Sequence, residues 1–126
     1  MDLHFLRLWD VYNPLLTEHQ REVTDLYFNC DLSLAEIAEQ KGCSRQSISD
    51  ALTKARRQLE GYEEKLHFVR LLAESSLARS CLLADVGKWA AAHLSAEECG
   101  ALQALMQRDY GEEAKALFEE NREKLS

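Results

Sequence analysis

The sequence predicts an all-α protein: a helix-turn-helix bundle with a long connecting helix and further helices toward the C-terminus. Three observations carry this. Across 126 residues there are one Pro and five Gly, too few breakers for a turn-rich β fold. Ala, Leu, Glu, Gln and Arg, all strong helix formers, are abundant. Apolar residues recur at helical rather than alternating spacing. At 46% hydrophobic residues the chain can bury a core and is not a disordered polyampholyte.

Taken in order, Asp2 to about Tyr12 is an amphipathic helix, with Phe5, Leu8 and Val11 or Leu3, Leu6 and Trp9 on a face. Asn13 and Pro14 end it, because Pro disfavours α geometry in the preceding residue. Thr17 and Gln20 form a capping box for a helix that buries Val23, Leu26, Tyr27 and Cys30, closed by a loop at Asn29–Asp31. Ser33 and Glu36 form a second box. They open a short helix whose Leu34, Ile37 and Ala38 face inward and which Gly42 stops. Ser44 caps the next helix, expected to run to about Glu60. Gly61 is expected to interrupt it, with a second helix from Tyr62 into the Leu71–Leu83 region and a bend or end near Gly87. Ser95 with Glu98, and Asp109 with Glu112, are expected to cap two further helices carrying Leu102, Leu105 and Met106, then Leu117 and Phe118. This divides the chain into a helix-turn-helix domain, 1–60, and a helical extension, 61–126.

The stretch Leu32–Glu60 meets the demands of a helix-turn-helix: a short helix, a tight Gly-containing turn, a second helix crossing the first. Ala38, four residues before Gly42, is small enough for the closest crossing, and Ile48 plugs the gap between the helices. At 100° per residue, Ile48, Leu52, Ala55 and Leu59 form the buried stripe of the second helix. Gln46, Ser49, Asp50, Thr53 and Arg57 point the other way, flanked by Arg45, Ser47, Lys54 and Arg56. A recognition helix reads base edges near its N-terminus and grips phosphates with basic side chains. The expected nucleic-acid-binding residues are therefore Ser44, Arg45, Gln46, Ser47, Ser49, Asp50, Thr53, Lys54 and Arg57. Ser44, as N-cap, leaves backbone N–H groups for a phosphate. Solvated charge on an outer helix face, or a protein-docking role, is the alternative for the same residues.

Charge is segregated. The chain carries −7 overall. Lys41, Arg45, Lys54, Arg56 and Arg57 against Asp50 give the 41–57 segment +4, leaving −11 on the rest. A basic face on an acidic body can hold a polyanion, with strong salt dependence. Residues 95–126 hold eight acids and four bases; they shield the basic face or dock a basic protein rather than touch nucleic acid.

Other chemistry is poorly supported. Cys30, Cys43, Cys81 and Cys99 form no CxxC pair and read as reduced apolar residues. His4, His19, His67 and His93 are scattered, and no Gly-rich phosphate loop is present. No metal, cofactor or enzymatic activity is expected. The N-terminus lacks a signal-peptide pattern and no apolar run reaches membrane length, so no membrane insertion and a cytoplasmic location are expected. Leu66, Val69, Leu71 and Leu72 cannot all face one small domain, which leads to the expectation of a homodimer or of C-terminal helices folding back.

The segment Leu16–Leu59 resembles region 4 of bacterial sigma factors in LTEHQREV and in SLAEIAEQKGCSRQSI. Tyr12–His67, ending GYEEKLH, is closer still to the YlxM family of sigma-region-4-like proteins. The resemblance implies an all-α fold and a regulatory role in the signal recognition particle pathway, whose particle contains an RNA. Cys43 stands where the family's turn has an aliphatic residue, and Ser49 where an aromatic is common. The expected function is a non-enzymatic regulatory or accessory factor contacting the particle's RNA or proteins. The alternatives are a DNA-binding transcription regulator and a pure protein-interaction module.

Overall fold

A computed structural model describes residues 2–125. Among them are seven α-helices, a 3₁₀ turn and no strand. They are α1 (Leu3–Tyr12), the 3₁₀ turn (Asn13–Leu15), α2 (Glu18–Phe28), α3 (Leu34–Lys41), α4 (Arg45–Leu66), α5 (Phe68–His93), α6 (Ala96–Gln107) and α7 (Gly111–Leu125). The chain forms two compact units, Met1–Ser76 and Leu77–Ser126. No helix among the described residues is long and apolar enough to cross a membrane.

Local chemistry sets most helix starts in the first unit. Asp2 accepts a hydrogen bond from the Phe5 N–H at 3.1 Å and caps α1. Thr17 and Gln20 exchange both bonds of a capping box, as do Ser33 and Glu36. Each such cap stabilises its helix by about 1 kcal/mol. The Pro14 ring sits in the 3₁₀ turn that redirects the chain into α2.

Two apolar clusters hold this unit together. Phe5, Leu8, Tyr12, Leu16, Ala55 and Leu59 make the first, joining α1 to the C-terminal half of α4. Val23, Ile37, Ala38 and Ile48 make the second, joining α2 and α3 to the N-terminal half of α4. Each fully buried Leu, Ile or Phe contributes roughly 1.5–3 kcal/mol. Two hydrogen bonds tie α2 to α1 and α4. The Trp9 indole N–H donates to the buried Thr24 hydroxyl at 2.7 Å, and the Gln20 amide donates to Gln58 at 2.6 Å. Tyr27 and Cys30, expected inside, are exposed. The α2 core face is instead supplied by Val23 and Thr24 with buried Gln20.

Gly61 does not interrupt α4, which runs unbroken to Leu66. The ~1 kcal/mol helix penalty of Gly is outweighed by burial of Ala55 and Leu59 and packing of Tyr62 on the same helix. The break falls at His67, which takes the left-handed conformation (φ 52°, ψ 27°). Glu63 organises this joint. Its carboxylate accepts from the Tyr12 hydroxyl at 2.7 Å and from the Val69 and Arg70 N–H groups at 3.0 and 3.1 Å. The Phe68 N–H donates to the Tyr12 oxygen at 3.2 Å. The first-turn donors of α5, which have no intrahelical acceptor, are thereby satisfied.

In the second unit α5 continues past Gly87 to His93 without ending there. Ser95 and Glu98 form the expected capping box of α6. At the start of α7 Asp109 accepts from the Gly111 N–H at 2.8 Å, as expected of a cap, whereas Glu112 pairs with Lys115 instead. Ala90 is the buried apolar residue of this unit among those described. It packs where the Cys99 thiol donates to its carbonyl at 3.3 Å.

Candidate nucleic-acid interface

The turn between α3 and α4 is built by Gly42 and Ser44. Gly42 adopts φ 68°, ψ 33°, and the Cys43 N–H closes on the Ala38 carbonyl at 3.0 Å. Nothing lies within 4 Å of where a Gly42 side chain would sit, so the left-handed backbone alone selects glycine. Ala38 is buried at the crossing with Ile48. Ser44 accepts from the Ser47 N–H at 3.1 Å and starts α4. Its capping leaves the Arg45 and Gln46 N–H groups at the helix N-terminus without intrahelical acceptors.

The sequence-predicted residues come together on the outer side of α4. Arg45, Gln46, Ser47, Asp50, Thr53, Lys54 and Arg57 are exposed, as is Ser44, and Ser49 is half-buried. Gln46 donates to Asp50 at 2.9 Å, which covers part of the single acidic group on this face. The Thr53 hydroxyl donates to the Ser49 carbonyl at 3.0 Å. Arg45, Lys54 and Arg57 make no ion pair among the described residues. From Arg45 to Arg57 the face rises by about 18 Å at 1.5 Å per residue.

The basic face is smaller than the sequence count of five cations. Arg56 is held by Asp2 at 2.8 Å and lies over the Phe5 ring, 5.1 Å from its centroid. Asp2 is thereby held below the usual carboxylate range, chiefly by the bond from the Phe5 N–H and then by Arg56. Lys41 pairs with Glu22 of α2, which lowers the Glu22 pKa through that hydrogen bond. The local +4 thus contains two cations spent on joining helices. Sequence reasoning missed both because their partners lie 19 and 54 residues away.

It also missed the α4–α5 joint. Tyr12 is read from the sequence only as a helix end and His67 only as one of four scattered histidines, yet with Glu63 they fix where α5 begins. The order in GYEEKLH carried the signal: an acid four residues before the chain breaks can cap the next helix. No group of three or more His, Cys, Asp or Glu side chains among the described residues is placed to hold a metal.

The helix-turn-helix, its crossing at Ala38 and the joint beyond it lie inside the match to one family model, described as helix-turn-helix protein, YlxM / p13 like, over residues 2–87. The chain belongs to this family, UPF0122. The match continues 20 residues past His67, where the sequence resemblance was read to end, and takes in most of α5. A UPF0122 protein of Clostridium kluyveri is 52% identical over 62 residues, 49% of this chain and 56% of that protein. One of Shouchella clausii is 42% identical over 95 residues, 75% of this chain and 84% of the relative. One of Clostridium novyi is 43% identical over 79 residues, 63% and 69% of the two chains. The chain thus spans little more than half the length of the Clostridium kluyveri protein. Helices α6 and α7 lie beyond the family match.

Proposed function

We propose that this UPF0122 member is a non-enzymatic regulatory or accessory factor that grips nucleic acid with the outer face of α4, in the signal recognition particle pathway. The observation that carries the reading is the exposure of Arg45, Lys54 and Arg57, unpaired among the described residues, behind a helix start with open N–H groups. In this reading Ser44 positions the start of the helix, and Arg45, Lys54 and Arg57 neutralise phosphates. Gln46, Ser47, Ser49 and Thr53 offer hydrogen-bonding groups to base or sugar edges. Asp50 disfavours phosphate beside it and so fixes register.

The family resemblance directs the proposal to the RNA of the particle. The major groove of an A-form helix is too narrow and deep for a recognition helix, so the RNA is held through its backbone and through loops. A DNA-binding regulator is the second reading, favoured by the Ala38–Ile48 crossing. That packing sets α4 as the second helix of a helix-turn-helix, the one such proteins place in the DNA major groove. A paired chain would bring two such helices to one target.

The test is a titration of the particle's RNA, of a set of genomic DNA fragments beside a random-sequence duplex, and of the particle's protein at several salt concentrations. The reading expects saturable RNA binding. For duplex binding through three cations the slope of log K against log salt is about −3, at roughly 0.9 per phosphate. Tighter, sequence-selective DNA binding selects the second reading. Binding to the particle's protein with none to either nucleic acid overturns both.

A further inference from the structure

The second unit, Leu77–Ser126, has helices without a core. Ala90 is the buried hydrophobic residue among those described there, while Leu77, Leu82, Trp89, Leu105, Tyr110, Leu117 and Phe118 are exposed. Instead of closing on one another, the helices leave an open cleft of about 750 Å³ lined in part by Leu83, Leu105, Met106 and Tyr110. Ordering a residue's backbone costs about 1–2 kcal/mol, and one buried alanine cannot offset that over some fifty residues.

The exposed apolar groups are patterned. Leu82 (63% exposed) and Trp89 (56%) lie seven residues apart on one side of α5. On α7, Leu117 (58%) and Phe118 (54%) follow Ala114 and precede Asn121 at helical spacing. Several charged groups beside them are matched within the unit: Arg108 with Glu113, Lys115 with Glu112, Arg122 with Glu119. The uncharged stripe of α7 lies open among them.

We infer that Leu77–Ser126 is a self-association module whose apolar faces are covered by the same unit of a second copy of this chain. Three observations select a second copy. The seven exposed side chains offer on the order of 100 Å² each, about 700 Å² per chain, close to the ~800 Å² per partner of a stable interface. Trp89, Tyr110 and Phe118 are of the aromatic types concentrated in interface cores, and four leucines surround them. The unit holds nine acids and six bases from residue 77 onward, which repels a polyanion and offers no strong field to a basic partner. This inference does not depend on the nucleic-acid reading of α4.

The experiment is sedimentation equilibrium of the full chain from 1 to 100 μM, with thermal melts over the same range. The expected mass is twice 14.4 kDa at the upper concentrations, and the melting temperature rises with concentration, as it does for a fold coupled to association. Leu82→Glu and Phe118→Glu should each weaken association at least tenfold. Leu15→Glu, on an exposed leucine of the first unit, should leave it unchanged. A monomer throughout with a concentration-independent melt overturns the inference. So does a dimer that persists in both charged variants. If a variant unfolds, the wild-type concentration dependence of mass and melt still decides.

Discussion

The Tyr12 hydroxyl, at the last residue of α1, donates a 2.7 Å hydrogen bond to the Glu63 carboxylate near the end of α4. The same carboxylate takes the Val69 and Arg70 N–H groups that open α5. Residues 51 positions apart therefore fix one joint. Burial pushes the Glu63 pKa up, but the bonds from Tyr12 and the two N–H groups outweigh it, and the net shift is downward from 4.5. Burial, then the Glu63 bond, raises the Tyr12 hydroxyl above 10.

Glu63→Gln should cost about 1–3 kcal/mol, the range for a charge-assisted bond, read by urea unfolding. A depressed carboxylate pKa gives stability that is complete above 4.5 and fades as pH falls through the folded value. The stability gap between wild type and Glu63→Gln should therefore narrow below about pH 4.5. A raised tyrosine pKa works in the opposite direction: its contribution is complete below 10 and is lost as pH rises beyond it, so Tyr12→Phe should flatten the alkaline limb.

His67 sits in the left-handed region without being glycine. That conformation costs roughly 1–2 kcal/mol for an ordinary residue. His67→Val should destabilise the first unit by more than 1 kcal/mol, because β-branched residues tolerate positive φ least. His67→Gly should be neutral or slightly stabilising. Equal losses in both variants would show that the imidazole rather than the backbone matters.

At the helix-turn-helix, Gly42→Ala should cost about 1 kcal/mol through backbone strain alone, since the space for a methyl is open. Ala38→Leu should cost about 1–3 kcal/mol by overpacking against Ile48 and Val23. Chemical denaturation checks both.

Basic side chains on α4 divide into two groups. Arg45→Ala, Lys54→Ala and Arg57→Ala should each reduce the salt slope of duplex binding by about 0.9 with little change in stability. Arg56→Ala should do the reverse, loosening α1 through loss of the Asp2 and Phe5 contacts while leaving the slope unchanged. Salt-dependent titration beside thermal melts separates the two groups.

Helix starts were the most legible part of this fold. Thr17, Ser33 and Ser95, each with Gln or Glu three residues on, are all capping boxes in the structure, because that motif acts within one turn. The buried stripe Ile48, Ala55 and Leu59 was legible for the same local reason, and Leu52 lies half-buried beside it. Contacts between distant residues were not. Gly61 looked like a break because its propensity is local, whereas the packing that overrides it comes from α1. Nothing in residues 41–57 revealed that Glu22 and Asp2 would claim Lys41 and Arg56. The outer face of α4 was legible in composition, and its real cation count only in three dimensions.

Helix α4 gives Ile48 to one apolar cluster and Ala55 and Leu59 to the other. A single rod threaded through both nuclei cannot let either melt by itself. Loosening one end frees the axle on which the other turns, so the first seventy-six residues should come apart in a single cooperative step. Whatever pulls on the outer surface of that rod is resisted by the entire body behind it.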